Sequence, residues 1–271
     1  MMGGMRERAE RAYFVLCLVL GRLLRSAKYS KVLIASRDGG LQVRKHRLFY
    51  APLLVCLGGP LTRILNTGVS VLRQRDWEER EREVYRRLSG RSIRTDADGT
   101  FVLPCLAGKT LATLLKDPEL EESLRKRAIE LAVVALTEFH QLGFTHGDAM
   151  AENVLVDVEA GVAHWFDFET IHDSSWPMAW RRADDVRALL VTCVVRTSPE
   201  KRAEILQLIL DAYADDGVTS LLATSFSSVW RRPLTFHLAQ AGLSFQCFQE
   251  IGRWLKNDTL TLEATRRIVP T

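Results

Sequence analysis

The stretch "FTHGDAMAENVLVDVEAGVAHWFDFET", residues 144–170, decides the reading of this chain. Short apolar runs separate His146, Asp148, Glu152, Asn153, Asp157, His164, Asp167 and Glu169. Two of those runs, 153–158 and 161–168, are strand-like and are joined by Glu159-Ala160, which predicts a small hairpin. Just upstream, "SLRKRAIELAVVALTEFHQLG" (123–143) carries Ala128, Leu131, Ala132, Ala135 and Phe139 at helical spacing and stops at Gly143. One long helix thus feeds a polar loop and a hairpin. Asn153 and Asp167 then lie on adjoining strands.

Outward from that stretch, the first part of the chain is β-rich and the last part helical. "KVLIASRDGGLQVRKHR" (31–47) reads as a hairpin, with Asp38-Gly39-Gly40 as its turn. Strand alternation puts Val43 and Lys45 on one face. A break follows at Gly58-Gly59-Pro60. "RDWEEREREVYRRL" (75–88) is helical, with Trp77, Glu81, Val84 and Leu88 on one stripe. Glu81 is a charge on a packing face and so needs a partner. "GTFVLPCLAG" (99–108) is a buried-type strand followed by a loop. From about 176 the chain is mainly helical, in "RRADDVRALLVTCVV", "PEKRAEILQLILDAYA" and a C-terminal stretch near 234–256.

Composition bounds the class. With 271 residues, 47% hydrophobic and 26% charged, the chain can build a sizeable core as one large domain or two lobes. A net charge of +4 is mildly basic and marks no nucleic-acid partner. Cys17, Cys56, Cys105, Cys193 and Cys247 stand alone in apolar contexts, which reads as reduced, buried thiols of a cytoplasmic protein and not as a disulfide framework or zinc site. "AYFVLCLVLG" (12–21) is too short to span a bilayer and lacks a signal-peptide cleavage site. It has two readings: a helix packed on the body of the protein, or a peripheral anchor at the inner face of the membrane. Arg6, Arg8, Arg11, Arg22, Arg25 and Lys28 are the basic flanks that the second reading uses.

The pattern His146-Gly147-Asp148, Asn153 five residues after the aspartate, and Asp167-Phe168-Glu169 resembles the H-x-D-x-x-x-x-N and D-F-G pair of protein-kinase-like phosphotransferases. The resemblance covers roughly residues 30–190. It is similar to the bacterial lipopolysaccharide core kinases, which act on 3-deoxy-manno-octulosonic acid and heptose, in "RDGGLQVRKHRLFYAPLLVCLGGPL" and in the long gap before "EREVYRRLSG". The "HGD…N…DFE" core also resembles aminoglycoside and choline kinases.

That resemblance implies an α+β, bilobal fold. An N-terminal helix (1–28) would precede a small antiparallel β-sheet lobe (29–108) and a helical lobe (109–271) holding a catalytic loop at 146–153 and a metal motif at 167–169. ATP would occupy the cleft with Mg2+, or Mn2+ in its place. Asp148 would orient the acceptor hydroxyl and take its proton, and Asn153 and Asp167 would hold metal. His146 would brace the loop backbone. Lys45, with Arg44 as its competitor, would contact the α/β-phosphates and pair with Glu81. Gly39 and Gly40 would either cover the phosphates or simply turn the hairpin. Asp185, or Asp184, would brace the catalytic loop from below. No A-P-E motif follows, and little chain separates Glu169 from the next helix. This favours a kinase for a sugar, lipid-linked glycan or other small molecule. A compact protein Ser/Thr kinase and a non-catalytic nucleotide- or partner-binding module are the alternatives.

Overall fold

A computed structural model describes residues 7–16, 19, 30–37, 40–48, 68–90, 93–96, 99–227 and 242–268. The expected hairpin is formed by β1 (Ser30–Arg37) and β2 (Gly40–Arg47), paired antiparallel from Ser30↔Arg47 to Arg37↔Gly40. Gly40 therefore opens the second strand instead of belonging to the turn. Asp38, Gly39, the Gly58-Gly59-Pro60 break, Cys17 and Cys56 lie outside the described residues.

The fold is mixed α+β with small antiparallel sheets. Strand β2 pairs on its other side with β5 (Phe101–Pro104), and β5 with β4 (Arg94–Thr95), giving the order β1-β2-β5-β4. Helix α2 (Gln74–Ser89) runs between these strands in sequence and ends at Gly90 in the left-handed conformation. Its inner stripe is Trp77, Glu81, Val84 and Tyr85. Leu88, expected on that stripe, is exposed instead, because it sits in the last turn where the helix runs past the core. Preceding α2, β3 (Val69–Val71) pairs with β9 (Thr170–His172), and β6 (Lys109–Thr110), β7 (Val154–Asp157) and β8 (Val162–Trp165) form a third sheet.

The helical part comprises α3 (Leu111–Lys116), α4 (Glu122–Gln141), α5 (Met178–Val194), α6 (Arg202–Tyr213), α7 (Asp216–Ser225) and α8 (Phe245–Ile268). Residues 7–16 form an N-terminal helix, α1. Its Phe14 is buried against Phe245 and Phe248 of α8, with ring centroids 5.6 and 5.8 Å apart, so one side of α1 packs on the body of the protein. Cys193 and Cys247 are buried as expected, but Cys105 is exposed because it follows β5 on a surface loop.

One contiguous apolar core joins α2, the strands and the helices. Phe139 of α4 is central to it. Its ring stacks on Phe144 and Phe168 at 5.4 and 5.3 Å, directly under the 144–170 stretch. Removing it leaves a cavity that three rings cannot all close. Phe139→Ala should lower the unfolding free energy by about 3–5 kcal/mol in a denaturant titration, with Phe139→Leu costing clearly less.

Candidate active site

The polar loop leaves α4 at Gly143 and is held from beneath by a buried carboxylate. Asp185, in the second turn of α5, accepts the N–H of His146 on Oδ2 (2.6 Å) and the N–H of Gly147 on Oδ1 (2.8 Å). His140 of α4 reaches the same Oδ2 through Nε2 at 3.0 Å, and its Nδ1 meets the Tyr213 hydroxyl at 2.7 Å. Burial alone would raise the Asp185 pKa. The His172 and His140 rings and the hydrogen bonds outweigh that and hold it below the usual carboxylate range. Of the two candidate braces, Asp185 is thus the one on the loop. Asp184 pairs instead with His172 Nε2 at 3.0 Å and with Arg187.

Gly147 is required by geometry twice over. Its φ is 80°, and a Cβ there would lie 3.1 Å from Thr170 Oγ1 and 3.3 Å from the Ile171 nitrogen. The loop consequently lies flush against β9. His146 is buried, and its Nε2 donates to the Phe166 carbonyl at 2.9 Å while its Nδ1 accepts the Asp148 N–H at 3.3 Å. Burial lowers its pKa, so the ring is neutral and acts as a brace between the loop and the strand end.

Asp148 and Asn153 are brought together. The Asn153 amide donates to the Asp148 backbone carbonyl (2.8 Å) and to its Oδ2 (2.9 Å). This fixes the carboxylate and leaves the amide oxygen of Asn153 as the free-facing end of that side chain. A single turn of 3-10 helix, Ala151–Asn153, sets the spacing and is pinned by the Ala151 N–H on Thr192 Oγ1 at 3.0 Å. Asn153 precedes β7 instead of lying on it, and its carbonyl takes the Phe166 N–H at 3.0 Å, which carries the loop across to the end of β8.

Asp167 follows β8 with φ 69°, one of two non-glycine residues with positive φ among those described. Strained backbone of this kind gathers at working sites. The next residue, Phe168, is wholly buried between Tyr85 of α2 (6.0 Å), Phe139 and His146 (5.1 Å), so Asp167 cannot turn away without emptying the core. The Asp167 carboxylate pairs with Lys45 of β2.

Lys45 is the point where the two halves of the site meet. It is 4% exposed, bonds Glu81 at 3.3 Å as well as Asp167, lies 3.9 Å from Glu169, and sits 5.0 Å above the Trp77 ring. Burial alone would lower its pKa; the carboxylates of Asp167, Glu81 and Glu169 more than reverse this, and Lys45 stays charged. Burial pushes Glu81 up, against the opposing pull of Lys45 and the Trp77 N–H on Oε1 at 3.1 Å. Arg44 points to the other face, where it pairs with Asp96 at 2.7 Å, so Lys45 is the inward cation of the two.

Several residues here carried no motif. Arg80, next to Glu81, donates to the Thr145 carbonyl and ties α2 to the loop. His140 and His172 complete the buried network; the His172 ring meets Thr145 Oγ1 at 2.9 Å. The only available signal was a histidine on the packing face of α4. The other polar residues of the stretch are peripheral: Glu152 pairs with Arg196, Asp157 Oδ1 caps the hairpin turn at the Ala160 N–H (3.0 Å), and His164 is exposed. Among the described residues no three His, Cys, Asp or Glu side chains gather into an all-protein metal cage. A nucleotide-bound magnesium needs only one or two protein ligands, and the oxygens of Asp167 and Asn153 are of the hard type it takes. No protein-family profile matches the chain, and no curated protein matches its sequence.

Two outcomes follow from the electrostatics. Lys45→Met leaves Glu81 buried without its cation and should cost about 3–5 kcal/mol of stability. Adding Glu81→Gln should restore part of that loss, so a double-mutant cycle by chemical denaturation should be non-additive. For His146 the folded pKa lies below the ordinary 6.5, so the unfolded chain binds more protons below that pH. Stability contributed by the neutral ring is full above pH 6.5 and is lost as pH falls. Denaturation midpoints between about pH 5 and pH 7.5 should therefore rise with pH, and less steeply in His146→Gln, which keeps a donor for the Phe166 carbonyl.

Proposed function

We propose that the chain is a phosphotransferase of the protein-kinase-like type, moving the γ-phosphoryl group of ATP to a hydroxyl of a sugar, lipid-linked glycan or other small molecule. The observation that carries this reading is the meeting of Lys45, Glu81 and Asp167 on one side of a loop that fixes Asp148 against Asn153. These residues come from four separate parts of the chain, and three carboxylates, those of Glu81, Asp167 and Glu169, converge on one lysine.

Magnesium bound with ATP would spread the charge of the phosphates during transfer. Asp167 and Asn153 would hold it through the carboxylate and the amide oxygen. Lys45 is the cation for the phosphates; Glu81 and the Trp77 ring keep its ammonium in place. Asp148 accepts the proton of the acceptor hydroxyl at its carboxylate, oriented by the two Asn153 bonds. His146 keeps the Asp148 backbone in register and takes no proton in the reaction. Strand β9 ends at His172 and α5 begins at Met178, so residues 173–177 alone separate them. So short a connection leaves no room for a long, phosphorylatable activation segment and favours a small acceptor over a protein.

The test is metal-dependent ATP turnover with water and with a panel of sugars as acceptors. Asp167→Ala should abolish it while the chain still melts cooperatively, at a lower temperature because Lys45 loses one of its carboxylates. Asp148→Asn should lower kcat by about 10²–10⁴-fold with little change in the KM for ATP. A fully active Asp167→Ala protein overturns the reading. Autophosphorylation on Ser or Thr that disappears in Asp148→Ala would shift the acceptor to protein.

A further inference from the structure

The excess positive charge of this chain sits at one end. Residues 1–28 hold six basic residues (Arg6, Arg8, Arg11, Arg22, Arg25, Lys28) against Glu7 and Glu10. The remaining 243 residues balance at 31 of each sign, so the whole net charge of +4 belongs to the first 28. Exposed apolar side chains are concentrated next to it. Of the eleven exposed large hydrophobics among the described residues, Val15, Leu16 and Val19 fall within this charged end, Val32, Leu33 and Ile34 lie on β1, and the other five are scattered singly from Leu88 to Val162. Scattered apolar residues are ordinary on a surface; a cluster beside a local charge excess is not.

Helix α1 arranges these residues on two sides. Phe14 is its inner anchor, buried against Phe245 and Phe248. Arg8, Ala12 and Val15 recur at i, i+4 and i+7, which is one helical stripe of α1; all three are exposed, as is Val19, a helical residue four positions on. Leu16 flanks that stripe and Arg11 lies one turn before Val15. Val15, Leu16 and Val19 are 50–53% exposed. The outward side is thus apolar with arginines at its N-terminal end. Among the described residues no helix is long and apolar enough to cross a bilayer, so contact with lipid would be at the surface.

We propose that the outer face of α1 docks the protein on an anionic membrane surface, with Val15, Leu16 and Val19 entering the acyl boundary and Arg8 and Arg11 meeting lipid phosphates. Three half-exposed aliphatic side chains supply burial, and the net positive charge of residues 1–28 supplies attraction that a neutral surface cannot use. Glu7 and Glu10 balance Arg8 and Arg11 on the described helix, so the surplus belongs to Arg6, Arg22, Arg25 and Lys28, which lie outside the described residues. Phe14 fastens this face to α8, so docking places the folded body, not a loose tail, at the membrane. The inference stands apart from the phosphotransferase reading and survives its failure.

The test is flotation of the full-length chain with vesicles of phosphatidylcholine alone, or with about one-third phosphatidylglycerol, at about 0.1 M salt. Binding is expected with the anionic vesicles and should weaken as salt rises. Arg8→Gln with Arg11→Gln should weaken it about fivefold per charge removed. Val15→Ser, Leu16→Ser and Val19→Ser together should weaken it about tenfold or more. Thermal melts should match the unmodified chain in both variants, since these side chains face solvent. No flotation with anionic vesicles overturns the proposal. So does undiminished flotation of the triple variant, or a stable dimer that buries this face and excludes vesicles.

Discussion

The Asp185 carboxylate governs the geometry of everything around it. A buried negative charge is costly unless hydrogen bonds and cations surround it. Here the compensation comes from the backbone N–H groups of His146 and Gly147 and from the rings of His140 and His172. Those groups belong to α4, to the loop and to β9, so satisfying one carboxylate fixes three elements relative to α5. The loop can be tight only because residue 147 lacks a side chain. Once Gly147 is seated, Asp148 has a single direction, and Asn153 locks it.

Lys45 plays the same part for the other half of the site. It draws Glu81 from α2 and Asp167 from the end of β8 onto one ammonium group. Neither acid would be stable there alone: burial pushes Glu81 toward its neutral form, and Asp167 holds a backbone conformation that few residues adopt. The lysine makes both tolerable, and they in turn keep it charged. Phe168 and Phe139 supply the apolar support under this cluster. The polar site and the core beneath it are therefore one cooperative unit.

Much of this was legible in residue spacing, and the failures have physical causes. Glu81 stood out because a charge on an apolar helical stripe demands a partner; that Lys45 or its neighbour Arg44 supplies the cation came from the kinase-like resemblance, and the fold chose Lys45. The hairpin at 153–168 and helix α4 declared themselves by periodicity. Leu88 misled because periodicity says which side a residue faces but not where the core ends. Cys105 misled because an apolar neighbourhood in sequence is not burial when the chain is leaving a strand. Arg80 and His172 were invisible and His140 was signalled only by its place on the packing face of α4: their partners are backbone carbonyls and buried acids brought together only by the fold, and no local spacing encodes that. The choice between Asp184 and Asp185 was likewise decided by which of two adjacent acids the helix rotates toward the loop.

Glu169 bears on how the site behaves over time. Its carbonyl accepts the Leu72 N–H at 2.8 Å, and the β3–β9 ladder carries on from there through Val71↔Thr170 to Val69↔His172. Leu72 is followed by Arg73, the residue that opens α2. The helix carrying Glu81 is thus joined by backbone bonds to the strand that follows Asp167-Phe168-Glu169. Moving α2 outward would break that ladder, pull Glu81 from Lys45 and uncover Phe168. A glycine at 169 would give the segment freedom to rotate; a glutamate removes much of it. Each of these constraints opposes the same displacement, so they add. On the phosphotransferase reading, this chain would keep its lysine, its two acids and its loop assembled at rest, with control left to the supply of acceptor and to where the protein sits.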